Sequence, residues 1–153
     1  LVAVPHGGEL LGPASVRECV QTLGADRVGH GVRAIEDPWL LDKIVEREVT
    51  LEVCPSSNVG LGVAPSAADV PVRALFDAGA RIALGADDPL LFGARLAWQY
   101  ELAREVYGFS DAGLAELARN SIQGSAAPPE IKKRLLDEVG AWLSGEAVTP
   151  GRF

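Results

Sequence analysis

The sequence predicts an α/β fold built on a parallel sheet. Short apolar runs alternate with stretches of helical periodicity, and each run ends in a polar cluster. The clusters begin at positions 6, 29, 54 and 85, a spacing of roughly 25 to 30 residues that suits successive strand–helix units. In such folds reactive residues lie beyond the C-terminal ends of the strands, where these clusters fall. Four strands cannot close an eight-stranded barrel; they make half of one.

Each element has a local reason. Leu1–Val4 is apolar and stops at Pro5-His6, which predicts a strand. Val16, Val20 and Leu23 have helical spacing, so residues 15–23 form a helix that Gly24 stops. Arg27-Val28 is a short strand before Gly29-His30-Gly31. Asp37-Pro38 starts a helix, as an N-cap followed by proline at the first helical position. It runs to about Arg47 with Leu40, Leu41, Ile44 and Val45 on one face. Residues 49–53 form a strand that stops at Cys54-Pro55, and residues 60–69 form a loop rich in Gly, Pro and Ala. Residues 71–78 predict a helix stopped by Gly79, and residues 81–84 the last strand. Beyond Pro89 the pattern is helical only: residues 95–107, residues 111–123 capped by Ser110, and residues 130–143 after Pro128-Pro129. The tail, residues 145–153, lacks periodicity and is expected to be mobile.

A chain of 153 residues, 48% hydrophobic and 23% charged, has the size and composition of one globular domain with a core. The net charge of −7 argues against nucleic acid or an anionic membrane as partner. It leaves a neutral small molecule in a pocket open. Two cysteines, Cys19 and Cys54, make no disulfide framework, so the cytoplasm is the expected compartment. No apolar run has the length of a membrane span, and no signal peptide opens the chain. The chain starts inside a strand without methionine, as a fragment would.

The clusters hold the residue types of a hydrolytic metal site. Imidazole and carboxylate are standard zinc ligands, and a catalytic zinc lowers the pKa of bound water to about 7. His6 and Asp87, at the ends of different strands, are candidate ligands. His30 is the candidate to hold or deprotonate an attacking water. Glu9 is a candidate proton donor in a dry pocket, and Asp88 a candidate acceptor for a substrate hydrogen bond. Each has a plainer role. Either histidine fits a structural hydrogen-bonder, Glu9 a solvated loop carboxylate, and Asp87-Asp88-Pro89 a helix cap. Cys54 suits packing better than nucleophilic attack, and Ser56, Ser57 and Asn58 suit a turn. Gly60-Leu61-Gly62 is too short for a phosphate loop and no P-loop lysine follows it.

Taken together, the motifs resemble the adenosine deaminase family of zinc aminohydrolases. His6-Gly7-Gly8-Glu9, Arg27-Val28-Gly29-His30-Gly31, Glu52-Val53-Cys54-Pro55-Ser56-Ser57-Asn58 and Gly85-Ala86-Asp87-Asp88-Pro89 follow the order of that family's C-terminal half. Arg119-Asn120-Ser121 in a late helix matches too, so the resemblance runs from Leu1 to about Leu143. It implies the C-terminal half of a (β/α)8 TIM-type barrel over residues 1–144, closed by C-terminal helices, with residues 145–153 as a tail. It implies Zn2+ held by His6 and Asp87, with His30 positioning the attacking water and assisting its deprotonation. Glu9 would protonate the purine at N1 as C6 is attacked, Asp87 would also hydrogen-bond the attacking oxygen, and Asp88 would hold N7.

Two departures from the family pattern stand out. Gly8 replaces the usual alanine and preserves the His-to-Glu spacing. The His-x-His pair of the family's first strand, two further zinc ligands, is not in this chain. The partner implied is therefore the missing N-terminal half of the barrel, and the chain alone is expected to be inactive. The expected reaction of the full-length parent is deamination of a 6-aminopurine nucleoside, adenosine to inosine in type. Adenine and 6-aminodeoxyfutalosine are the alternative substrates, although Ser56 resembles nucleoside-acting members more than adenine deaminases. A non-catalytic half-barrel and a phosphoesterase on the same barrel are the rivals. A homo-oligomer is a further partner left open, and the sequence does not assign the helices after Tyr107 to an interface.

Overall fold

The structure, a computed structural model, describes residues 2–146. Leu1 and residues 147–153, most of the expected mobile tail, lie outside them. Four strands form one parallel sheet in the order β1 (His6–Gly7), β2 (Arg27–His30), β3 (Thr50–Val53), β4 (Arg81–Leu84). Sequence order equals spatial order, so each crossover returns one strand further along the sheet.

The first strand is shifted from its predicted position. Residues 2–5 run beside β2 but bond to it on one register only. Ala3 O accepts from the Asp26 and Arg27 N–H groups, and Pro5 O accepts from Gly29 N–H at 2.9 Å. Pro5 has no N–H to return a bond, so the regular ladder begins at His6. Val2 and Val4 are exposed at this sheet edge.

Helices α1 (Pro13–Gln21), α2 (Pro38–Glu46) and α4 (Val72–Asp77) connect the strands. Helix α1 starts two residues before the predicted position because Pro13 suits the first turn. Helix α2 follows its prediction closely: Asp37 Oδ1 accepts from Leu40 N–H at 3.1 Å, and Leu40, Leu41 and Ile44 are buried. Val28, Leu51, Val53 and Ile82 of the sheet are fully buried with Val16, Val20, Leu40, Ile44, Val72 and Leu75. This is the core that holds the strand ends in place, and truncating a residue such as Leu51 to alanine costs about 2–5 kcal/mol.

Ser56, Ser57 and Asn58, expected as a turn, lie in a short helix, α3 (Pro55–Gly60). The expected loop over residues 60–69 contains a 3-10 turn at Ala67–Asp69, and another 3-10 segment spans Val32–Glu36. After β4 come α5 (Pro89–Phe92), α6 (Leu96–Glu105), α7 (Asp111–Gln123) and α8 (Pro129–Ser144). Ser110 Oγ caps α7 by accepting from Gly113 N–H, as predicted. Helix α7 packs on β4, and α8 packs on α7. No helix among the described residues is long and apolar enough to cross a membrane.

Candidate active site

The parallel register brings four strand ends to one edge of the sheet. His6 pairs with Gly29, Gly7 with His30, and Val53 with Leu84. The His6 ring lies across Gly29: a Cβ there would sit 2.4 Å from His6 Cδ2, so only glycine leaves room for it. Gly85 does the same for Cys54, whose Sγ would be 2.8 Å from a Cβ at that position.

His30 and Asp87 both adopt left-handed backbone conformations, with φ of 64° and 56°. Residues other than glycine reach this region at a cost of about 1–3 kcal/mol, which surrounding structure must sustain. His30 is the last residue of β2 and Asp87 follows β4 by three residues, and their side chains approach to 4.0 Å. His30 Nε2 is 3.4 Å from Glu9 Oε1 and 4.0 Å from Asp87 Oδ2. The His6 and His30 rings meet edge to face with centroids 5.2 Å apart. Asp87 Oδ2 also accepts a 2.6 Å hydrogen bond from Ser57 Oγ on α3.

Two buried polar atoms in this cluster, Glu9 Oε1 and His30 Nδ1, have no hydrogen-bond partner among the described residues. Buried polar atoms are rarely left unpaired, so these two are open to a bound water or ligand. The His6 imidazole and the Asp87 carboxylate are donor types that fit a zinc-type metal, two of the four ligands of a closed site. Donor atoms of His30, Cys54 and Asp87 lie within 4.8 Å of one another. Cys54 is the weak member of that trio. Burial, reinforced by the charge of Asp87, pushes its thiol up to about 12, so it stays protonated at neutral pH. That leaves Cys54 in the packing role expected for it.

Asp88 stands beside this group and carries a structural duty: its Oδ1 accepts from the Leu90 and Leu91 N–H groups and caps α5. The capping reading of Asp87-Asp88-Pro89 thus holds for Asp88, while Asp87 turns towards His30. A cleft of about 260 Å³ is lined by His6, His30, Cys54 and Asp87 at the strand ends, with Arg27 and Glu52 deeper in the sheet. Arg27 and Glu52 form an ion pair there at 2.5 Å.

Sequence reasoning missed two members of this neighbourhood. Ser57 was read as a turn former, yet it is fully buried and bonded to Asp87. Gln99 on α6 is also fully buried and bonds Ser56 through both ends of its amide. Its signal was faint but present: an amide at a position of the apolar stripe that includes Ala103, four residues on.

The sequence pattern of the adenosine deaminase family matches residues 1–142. A Streptomyces coelicolor protein with the provisional name adenosine/adenine deaminase is 65% identical over 143 residues, which cover 94% of this chain and 42% of that protein. Another protein of the same organism, named aminodeoxyfutalosine deaminase, is 37% identical over 94% of this chain and 38% of its own length. Among solved structures, the adenine deaminase of Arthrobacter aurescens superposes with a TM-score of 0.91 at 35% identity, over 94% of this chain and 44% of that one. An amidohydrolase from Burkholderia ambifaria with bound zinc superposes with a TM-score of 0.80 at 25% identity, over 94% and 42%. The chain thus spans less than half the length of these relatives. Its four parallel strands and their helices form a partial (β/α)8 barrel. The zinc-bound neighbour and the match to the family together suggest a metal cofactor. Ordered motifs, strand-end geometry and sequence similarity agree that this chain belongs to the adenosine deaminase family.

Proposed function

We propose that this chain is the C-terminal half of a zinc-dependent enzyme that hydrolytically deaminates a 6-aminopurine nucleoside, as adenosine is converted to inosine. The observation that carries this reading is the convergence of Glu9, His30 and Asp87 from three separate strand ends, with both carboxylates within 4.0 Å of His30 Nε2. Residues 1–144 form the half-barrel, residues 145–153 a tail, and the N-terminal half supplies the remaining ligands.

His6 and Asp87 would hold the zinc. When bound, zinc supplies the Lewis acidity that lets water act as hydroxide near neutral pH, bringing its pKa to about 7. His30 orients the attacking water and takes its proton as oxygen adds to C6. Glu9 donates a proton to N1, where negative charge would otherwise build up. Asp88 accepts a hydrogen bond from the N7 side of the purine. His30 would return its proton to the C6 amine, the C6–N bond would break to release ammonia, and the C6 hydroxyl proton would pass to Glu9 as the 6-oxopurine forms.

Adenine and 6-aminodeoxyfutalosine are the alternative substrates, favoured by the names of two of the similar proteins. Two free cysteines fit a reducing cytoplasm. The test is ammonia release from adenosine, adenine and 6-aminodeoxyfutalosine by the zinc-loaded, full-length protein. Release from adenosine at the highest kcat/KM supports the reading. Release from none of the three overturns it.

A further inference from the structure

We propose that Gln99 is a positioning residue for the metal-binding carboxylate Asp87, acting through helix α3. The inference rests on the reading of Asp87 as a metal ligand. Helix α3 is short, and its N-cap, Cys54, provides no side-chain cap, so the N–H groups of its first turn need other acceptors. Gln99 Oε1 reaches across from α6 and accepts from Ser56 N–H at 3.3 Å. Gln99 Nε2 donates to Ser56 Oγ at 2.8 Å. One fully buried amide therefore caps α3 from outside and fixes its first turn against α6.

The next residue delivers that constraint to the site. Ser57 is fully buried, and its Oγ donates to Asp87 Oδ2 at 2.6 Å. Asp87 sits at φ 56°, a conformation that depends on its neighbours. At the far end of α3, Gly60 packs against Phe92 of α5, where a Cβ would lie 2.8 Å from Phe92 Cδ1. The cap of α5 is Asp88. Helix α3 thus bonds Asp87 directly through Ser57 and packs through Gly60 on α5, the helix that Asp88 caps, and Gln99 anchors its first turn.

The test uses the zinc-loaded, full-length protein and reads zinc affinity by chelator competition. Gln99→Leu removes both bonds to Ser56, and the expected result is a loss of about 10–100-fold in zinc affinity, the range for outer-shell partners of ligands. Ser57→Ala should lose affinity by the same route, so the double variant should be no weaker than the weaker single one. Gln99→Glu can still accept from Ser56 N–H and, with the hydroxyl turned, from Ser56 O–H, and should restore zinc affinity towards wild type. A merely structural residue would lower the melting temperature and leave zinc affinity unchanged. Affinity within about twofold of wild type in Gln99→Leu, or additive losses in the double variant, overturns the inference. If Gln99→Leu does not fold, Gln99→Glu and Ser56→Ala decide: Ser56→Ala keeps one of the two bonds, and zinc affinity equal to wild type in that variant overturns it. Wild-type protein that binds no zinc overturns the metal-site reading itself, and this inference with it.

Discussion

Asp88 caps a helix, and the proposed function gives it a second duty at the substrate. Its Oδ1 caps α5, and its place beside Asp87 suits it to hold the purine. Asp88→Asn keeps an acceptor for the cap, so melting temperature should hold while KM rises and kcat falls. Asp88→Ala should add a loss of about 1 kcal/mol in stability from the missing cap, measurable by urea unfolding. Equal kinetics in wild type and Asp88→Asn would remove the substrate role. Cys54 makes the opposite point, being placed near the chemistry yet inert. Burial raises its thiol to about 12. At pH 8 it should resist iodoacetamide in the folded protein, and rapid alkylation there would contradict the packing role. The sign of its contribution to stability follows. As pH rises above 9, the unfolded chain releases a thiol proton that the folded chain retains, so stability falls between pH 9 and about 12.

Among the elements, those with strong local signals were legible in the sequence. Asp37-Pro38 and Ser110 mark the starts of α2 and α7, and the structure shows both caps made. Strand β4 matches its prediction residue for residue. The misses have physical causes. Pro5 removed a ladder donor and moved β1 towards His6, which no apolar run could show. Helix α3 contains Pro, Ser, Ser and Asn, turn formers by propensity, and is held as a helix by contacts from α5 and α6 that are remote in sequence. The strand-end motifs gave His6, Glu9, His30, Asp87 and Asp88, whereas Gln99 could be recognised only after folding placed α6 against α3. Two glycines late in the chain test the packing of these helices. A Cβ at Gly124, the end of α7, would lie 2.3 Å from Thr50 Oγ1 and 2.9 Å from Arg27 Nη1. Gly124→Ala should therefore destabilise by about 1–3 kcal/mol, as overpacking does. Gly140 lies within α8 with nothing within 4 Å of its Cβ position, and Gly140→Ala should stabilise by about 0.8–1.0 kcal/mol. Chemical denaturation of the two variants checks both signs.

At the scale of the whole molecule, the partial barrel explains why the site is both recognisable and incomplete. The motifs lie on the ends of four strands whose order in the sheet follows the sequence. On the proposed function, the metal site needs residues from both halves, and the β1 to β4 sheet supplies only part of them. His6 is exposed, and the outer edge of β1 is unpaired among the described residues. On the proposed function, joining an N-terminal half would bury that edge and add ligands to His6 and Asp87. The most direct test is zinc content per chain, measured by elemental analysis on the full-length protein and on this half alone after identical dialysis. The account predicts close to one zinc per full-length chain and almost none on the isolated half. A full complement of zinc on the isolated half, or none on the full-length protein, would contradict it.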